Sequence, residues 1–290
     1  MLKNKAASLC IVFFVYVLAV GVGVLVLEAG MERLSPLWNM FAATFAGTVV
    51  VFLSNLIFKN ASVYDPYWSV QPPFIMMGFV FFYNIPLYTP ESGLSNAVFV
   101  LATLFIWAIR LTVNWMITFD NLEWQDWRYT RFKEAYPKIF QLIVFTGIMM
   151  MPTCLVYLGC VPLYFLLTSD SAPLFPIIGG LIILLGTALE FFADRQMHRW
   201  KRQGSGPYIN EGLWKYSRHP NYLGEMLIWI GVFVGSIGAL SDGRDFGLSI
   251  IGPVLMVLLF LFISIPMMEK HVLEKRPEYA EYRKKVRALI

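Results

Sequence analysis

Three groups of polar and ionisable side chains interrupt otherwise apolar stretches of this 290-residue sequence at the spacing of one helical face. Glu190, Asp194 and His198 follow one another four apart, as do Asn221 and Glu225, with Trp229 a step deeper, and Arg110 and Asn114. Residues four apart share a side of a helix, and a charge inside a membrane-length apolar segment marks a site by default. Three polar faces therefore predict a shared polar cavity. The plainer alternative is that Glu190 and Glu225 pair with Arg110 or Arg218 and only hold helices together.

The richest segment precedes Asn221. It carries Gly204, Gly206, Pro207 and Tyr208, and then Trp214, Lys215, Tyr216, Arg218, His219, Pro220 and Tyr222. Proline fits the first turn of a helix, and a helix start flanked by Arg, Lys and His suits phosphate. The aromatic residues offer flat faces and hydroxyls for a ring and a ribose. This reads as a dinucleotide grip without a Rossmann unit, since Gly21 and Gly23 lie in an apolar helix rather than after a strand. A basic loop lying on anionic lipid is the competing reading. The tail adds Glu269 and His271, with Tyr279 and Tyr282 three apart. The basic run from Arg283 to Arg287 reads equally well as a lipid-surface anchor. Asp126, Arg128 and Tyr129 approach from a third direction.

The elements that position these groups are membrane helices. Hydrophobic residues make up 58% of the chain and charged ones 14%, about half the charge of a soluble domain. Eight apolar segments approach the 20 or so residues a span needs: Ser8–Leu27, Leu37–Phe58, Pro73–Leu87, Ser95–Phe119, Ile139–Leu167, Leu174–Ala193, Tyr222–Leu240 and Gly247–Pro266. The first is too long in its apolar core, and lacks the cleavage site, for a signal peptide. Of 23 Lys and Arg residues, all but Arg33, Arg244 and Arg110 fall on one side of such a bundle, which the positive-inside rule makes cytoplasmic, with both termini. The expected architecture is an all-α integral membrane protein, a single domain of seven or eight spans with cofactor-binding loops on the cytoplasmic side. Cys10, Cys154 and Cys160 form neither a disulfide framework nor a metal motif, and no metal site is expected. The expected partners are the bilayer and a hydrophobic small molecule, not nucleic acid. Nothing separates a bacterial inner membrane from an endoplasmic reticulum.

The run from Tyr216 to Glu225, Glu269 and the tail from Arg276 to Tyr282, together with Arg110, Asn114, Trp115 and Asp126 to Tyr129, resembles the membrane steroid 5-alpha-reductase family, closest to its bacterial branch. The likeness extends from about residue 60 to the C-terminus; the first helix or two lie outside it. The resemblance implies a bundle of about seven helices holding NADPH in a cytoplasm-facing cavity and reducing an activated carbon–carbon double bond. It implies that Asp194, His198 and Lys201 face the adenosine and phosphate end. Tyr208, Arg218 and Asn221 would hold pyrophosphate or ribose, and Glu190 and Glu225 would lie near the nicotinamide. The wider candidate set adds Arg110, Asn114, Arg128, Tyr129, Tyr216, His219, Tyr222, Glu269 and His271. The family polarises the substrate ketone with a Tyr and a Glu, whose positions here hold Trp107 and, near the neighbouring prolines, Gln71. Tyr64, Asp65 and Tyr67 could substitute, unless Asp65 caps the helix that follows. Asp65, Tyr67, Gln71 and Trp107 are thus the catalytic candidates. Membrane isoprenylcysteine and phospholipid methyltransferases share the Arg-His-Pro-x-Tyr run but bind S-adenosylmethionine. Asn221 with Glu225, and the basic stretch from Arg195 to Lys215, favour the reductase. A lipid-binding membrane protein without enzymatic activity is the third reading.

Overall fold

In a bilayer every backbone polar group must find its partner within the protein, so apolar segments of this length fold as helices. The computed structural model describes residues 3–89, 93–169, 172–204 and 206–289, and these are nearly all helical. In chain order the helices are α1 (Lys5–Gly30), α2 (Pro36–Phe58), α3 (Tyr67–Phe82), α4 (Ala97–Thr118), the short α5 (Trp127–Ala135), α6 (Pro137–Thr168), α7 (Leu174–Gln203), α8 (Pro220–Ser236), α9 (Gly243–Lys275) and α10 (Tyr279–Lys285). A two-residue ladder pairs Tyr88–Thr89 with Gly93–Leu94.

Seven of these helices are long and apolar enough to cross a membrane: α1, α2, α4, α6, α7, α8 and α9. This is a multi-pass membrane protein. Helix α3 has 16 residues, short of a full span, yet it traverses the bundle. Asp65, just before it, accepts from Tyr129, while Tyr83, just after it, accepts from Asn39 at the start of α2. It starts at Tyr67 rather than Pro73 and takes both Pro72 and Pro73 into its interior. The sequence placed its start too late because its first turns are polar. Those polar groups are satisfied inside the protein: Trp68 donates to Glu225, Ser69 meets Thr112 and Gln71 donates to the Thr153 carbonyl.

The basic loops gather at one end of the bundle. Lys5 donates to the Ile117 carbonyl, closing α1 against the end of α4, and Asn60 after α2 donates to the Leu122 and Trp124 carbonyls. Helix α7 runs ten residues past its expected end to Gln203, which carries the Glu190, Asp194 and His198 face out of the apolar zone. It meets α8 almost backbone to backbone. A Cβ on Gly186 would lie 2.6 Å from the Gly224 carbonyl, and one on Gly231 would lie 2.8 Å from that of Gly179. Small residues permit such approach where lipid offers no hydrophobic drive. Two helices contain π-helical turns, Val144–Met150 in α6 and Phe260–Ser264 in α9. The core joins Phe79, Leu104, Trp107, Leu163, Ile228 and Trp229 at mid-bundle.

Candidate functional site

Two adjoining chambers lie at the basic end. The outer one, about 520 Å³, lies between the ends of α7 and α9, the loop before α8 and the tail helix α10. The inner one, about 330 Å³, sits deeper, between the start of α3, α4, α7 and α8. Asp194, Asn221 and Tyr222 line both.

Helix α8 begins as expected, with Pro220 in its first turn, which turns the Asn221 and Tyr222 positions toward the chambers. Around the outer chamber stand Lys201, Arg218, Lys275 and Arg276, with His198, His219 and His271, against one carboxylate, Asp194. Lys201 and Lys275 make no ion pair among the described residues. The aromatic lining comes from Tyr208, stacked on Tyr282 with centroids 5.0 Å apart, and from Tyr279, Trp200 and Trp214. Trp127 on α5 stacks on His271 at 3.5 Å, bridging the mouth, and Arg131 forks onto Glu274 beside it.

Arg218 is less free than its position suggests. Its Nε donates to Glu269 at 2.7 Å, and Nη1 donates to the Arg283 and Val286 carbonyls. Glu269 also accepts from His219 at 3.0 Å and pairs with Arg283 at 2.9 Å. The backbone N–H groups of Arg218 and His219 donate to the carbonyls of Arg287 and Ala288. The run from Arg283 to Arg287 is therefore a clasp on the site segment, and the surface-anchor reading does not describe Arg283 or the Arg287 backbone. Glu269 holds this clasp and does not line the outer chamber. Tyr216 is 71% exposed and also stands outside it.

In the inner chamber Glu225 accepts three indole N–H groups: Trp68 at 3.0 Å, Trp229 at 3.1 Å and Trp107 at 3.2 Å. A buried tryptophan needs an acceptor for its N–H, and here three helices converge on one carboxylate. Arg110 forks between two others, with Nη1 2.6 Å from Glu190 and Nη2 on Asp194. Arg110 thus pairs with Glu190 and Asp194, and a hollow remains between α4, α7 and α8. Four carboxylates (Asp65, Glu190, Asp194 and Glu225) face two guanidiniums (Arg110 and Arg128) around it, with Asn114 beside them. Arg128 is taken up bidentately by Asp126, at 2.8 and 3.2 Å. The Asp65 side chain does not cap α3, whose start has no side-chain cap; the Asp65 backbone closes the turn Ala61–Tyr64. Its carboxylate accepts from the Tyr129 hydroxyl at 2.5 Å, and burial pushes it up to about 6, outweighing the Arg128 and Tyr129 pull downward.

Of the catalytic candidates, Asp65 lines the inner chamber and Trp107 reaches its Glu225; Tyr67 and Gln71 do neither. They occupy the opposite face of α3, in a buried cluster with Thr48, Tyr64 and Thr153. There Gln71 donates to the Thr153 carbonyl, and its Oε1 has no hydrogen-bond partner among the described residues. Sequence reasoning passed over Trp68, Trp127, Lys275 and Arg276. Trp68 carried a signal, an N–H donor beside polar residues at a helix start, but nothing in the sequence named its acceptor. Among the described residues no group of three or more His, Cys, Asp and Glu could hold a metal ion.

Fold and site together define a multi-pass helical membrane protein with a two-chambered polar cavity at its basic end. The chain belongs to the family described as a protein of unknown function, DUF1295, whose profile covers residues 51–286. It is 26% identical over 259 residues to an uncharacterized protein of Schizosaccharomyces pombe, an alignment spanning 79% of this chain and 72% of the relative. No solved structure matches it.

Proposed function

We propose that the protein is an NADPH-dependent membrane reductase that transfers a hydride to an activated carbon–carbon double bond of a hydrophobic, sterol- or isoprenoid-like substrate. The resemblance to the steroid 5-alpha-reductase family supports this, and one observation carries it: four cations and three histidines against a single carboxylate around the outer chamber. Such a lining suits a polyanion, and NADPH brings a pyrophosphate and a further phosphate. Lys201 and Lys275 would meet the phosphates, with Tyr208 for a ring, while Arg276 lies over Trp200 and donates to the Pro207 carbonyl. Arg218 and His219, tied to Glu269 and the tail, shape the chamber. When bound, the dinucleotide supplies a hydride for the β carbon of the double bond, and the α carbon must then gain a proton.

The chain's own residues divide the remaining work. Glu225, held by three indoles, fixes the wall on which a ring would rest, so Trp107 acts as a positioning residue and not as a donor to substrate. Asp65, pushed up to about 6, exchanges a proton near neutral pH and is the acid of this reading. The positive-inside count supports a cytoplasmic side for the chambers and both termini.

A second reading draws on the inner chamber. Its surplus of carboxylates, with Trp68, Trp115 and Tyr222, also suits a sulfonium, as in S-adenosylmethionine, and a methyltransferase would use it. Thermal unfolding of the detergent-purified chain with NADPH, NADH and S-adenosylmethionine separates the readings, because a ligand that binds the folded state stabilises it. Stabilisation by NADPH above NADH is expected. Stabilisation by S-adenosylmethionine alone would replace the reductase by the methyltransferase, and no shift with any of the three would leave a lipid-binding protein.

A further inference from the structure

On the outer surface of the bundle, between α4 and α7, runs a groove of about 570 Å³ to which the two chambers give no task. Its walls toward mid-membrane are apolar: Ile109, Val113 and Phe191, of which Ile109 is 61% exposed. In a bilayer that face meets lipid. The groove extends along α4 from Ile106 to Ile117, a helical rise of about 16 Å, or about half of a 30 Å hydrocarbon core. It therefore has the depth of one leaflet.

Its basic end has a cation at each lip. Lys5 lies beside one, outside the lining, its Nζ donating to the carbonyl of the lining residue Ile117 at 3.0 Å. Arg195 stands on the other, its guanidinium 5.9 Å from the ring centroid of Phe191, with His198 beside it. Neither Lys5 nor Arg195 makes an ion pair among the described residues. Asp194, the carboxylate lining the groove, is already held by Arg110. An apolar trough one leaflet deep, with a cation outside any ion pair among the described residues on either side of its basic end, matches an amphiphile with an anionic head.

Arg110, Asn114 and Asp194 line both this groove and the inner chamber. The Arg110 fork is thus the partition between lipid and cavity, one side chain thick. We propose that the groove is the vestibule from which substrate reaches the inner chamber, and that the substrate is a leaflet-resident amphiphile. Its phosphate-bearing head rests between Lys5 and Arg195, and its chain points to mid-membrane. The lipid's role as substrate rests on the proposed reductase activity, whereas its binding in the groove does not.

The full chain in phosphatidylcholine nanodiscs, given a phosphatidic acid with a photoreactive acyl chain, tests this by mapping the crosslinked peptides. Label should concentrate on residues 106–117 and 191–198. Arg195→Gln, which removes one charge-assisted contact, should lower it about tenfold. Val113→Trp, which fills the trough from a lipid-exposed position, should abolish it there. Photoreactive phosphatidylcholine should label the groove far less, and inorganic phosphate should not compete. Equal labelling by the two lipids, competition by phosphate alone, or label spread evenly around the bundle would each overturn the inference. The NADPH-induced thermal shift, measured on the same samples, separates the failures. Groove labelling without a shift sinks the reductase and leaves a lipid site, whereas a shift without groove labelling sinks the vestibule.

Discussion

Replacing Arg110 by Met strands two carboxylates. Its guanidinium is 11% exposed and Glu190 is 4% exposed, at 2.6 Å, with Asp194 on the second nitrogen. Removing one partner of a buried pair costs about 3–5 kcal/mol, because the charge left behind has neither water nor a counter-ion. Here two charges are left, and protonation of one relieves part of the cost, so Arg110→Met should destabilise by about 3–5 kcal/mol. Unfolding by SDS titration in mixed micelles measures it. The triple change Arg110→Met, Glu190→Gln and Asp194→Asn should recover most of the loss, since residues in one network do not add. A cost below about 1 kcal/mol for Arg110→Met, the range of solvated surface pairs, would refute the reasoning. Arg110 would then be free to meet a ligand, and the partition between groove and chamber would not exist.

Trp107→Phe removes one indole N–H from Glu225 and should cost about 1.5–3 kcal/mol, the range for hydrogen bonds to charged groups; the same titration checks it. Gly231→Val should separate α7 from α8 and cost about 1–3 kcal/mol or more, read as a lowered melting temperature. Between the usual Asp65 value of 3.8 and about 6, the folded protein binds more protons than the unfolded chain. The Asp65 contribution to stability should therefore be fully present below that window and be lost as pH rises through it. Asp65→Asn should remove this slope from the pH dependence of unfolding. Lys201→Ala and Lys275→Ala should each weaken NADPH binding about tenfold at low salt and less at high salt, with unfolding unchanged, as titration calorimetry and melting would show.

The polar faces of α4, α7 and α8 were readable from spacing alone, because residues four apart stay together on any helix. Their partners were not. Arg110 could have met Glu190, Glu225 or a ligand, and only the packing of α4 on α7 decides for Glu190 and Asp194. Helix α3 shows how narrow the margin is. Tyr67 and Gln71, four apart, turn to α2 and α6, whereas Trp68 and Ser69, next in line, turn to the chamber and α4. One residue is about 100° of rotation, and aligning prolines along a sequence cannot resolve it. The clasp of Glu269 by Arg218, His219 and Arg283 escaped for another reason: it joins segments about fifty residues apart, and spacing along one helix carries no trace of it.

That clasp sets an order of assembly. Residues Val286 to Ala288 supply the carbonyls that fix Arg218 and His219, yet they follow every spanning helix in the chain. While the protein is being threaded into its membrane, the outer chamber has a floor and no roof. Newly made copies can complete the outer chamber only after synthesis has passed residue 288. A bulky fusion set immediately after Ala288 would interfere with ligand uptake well before it disturbed insertion.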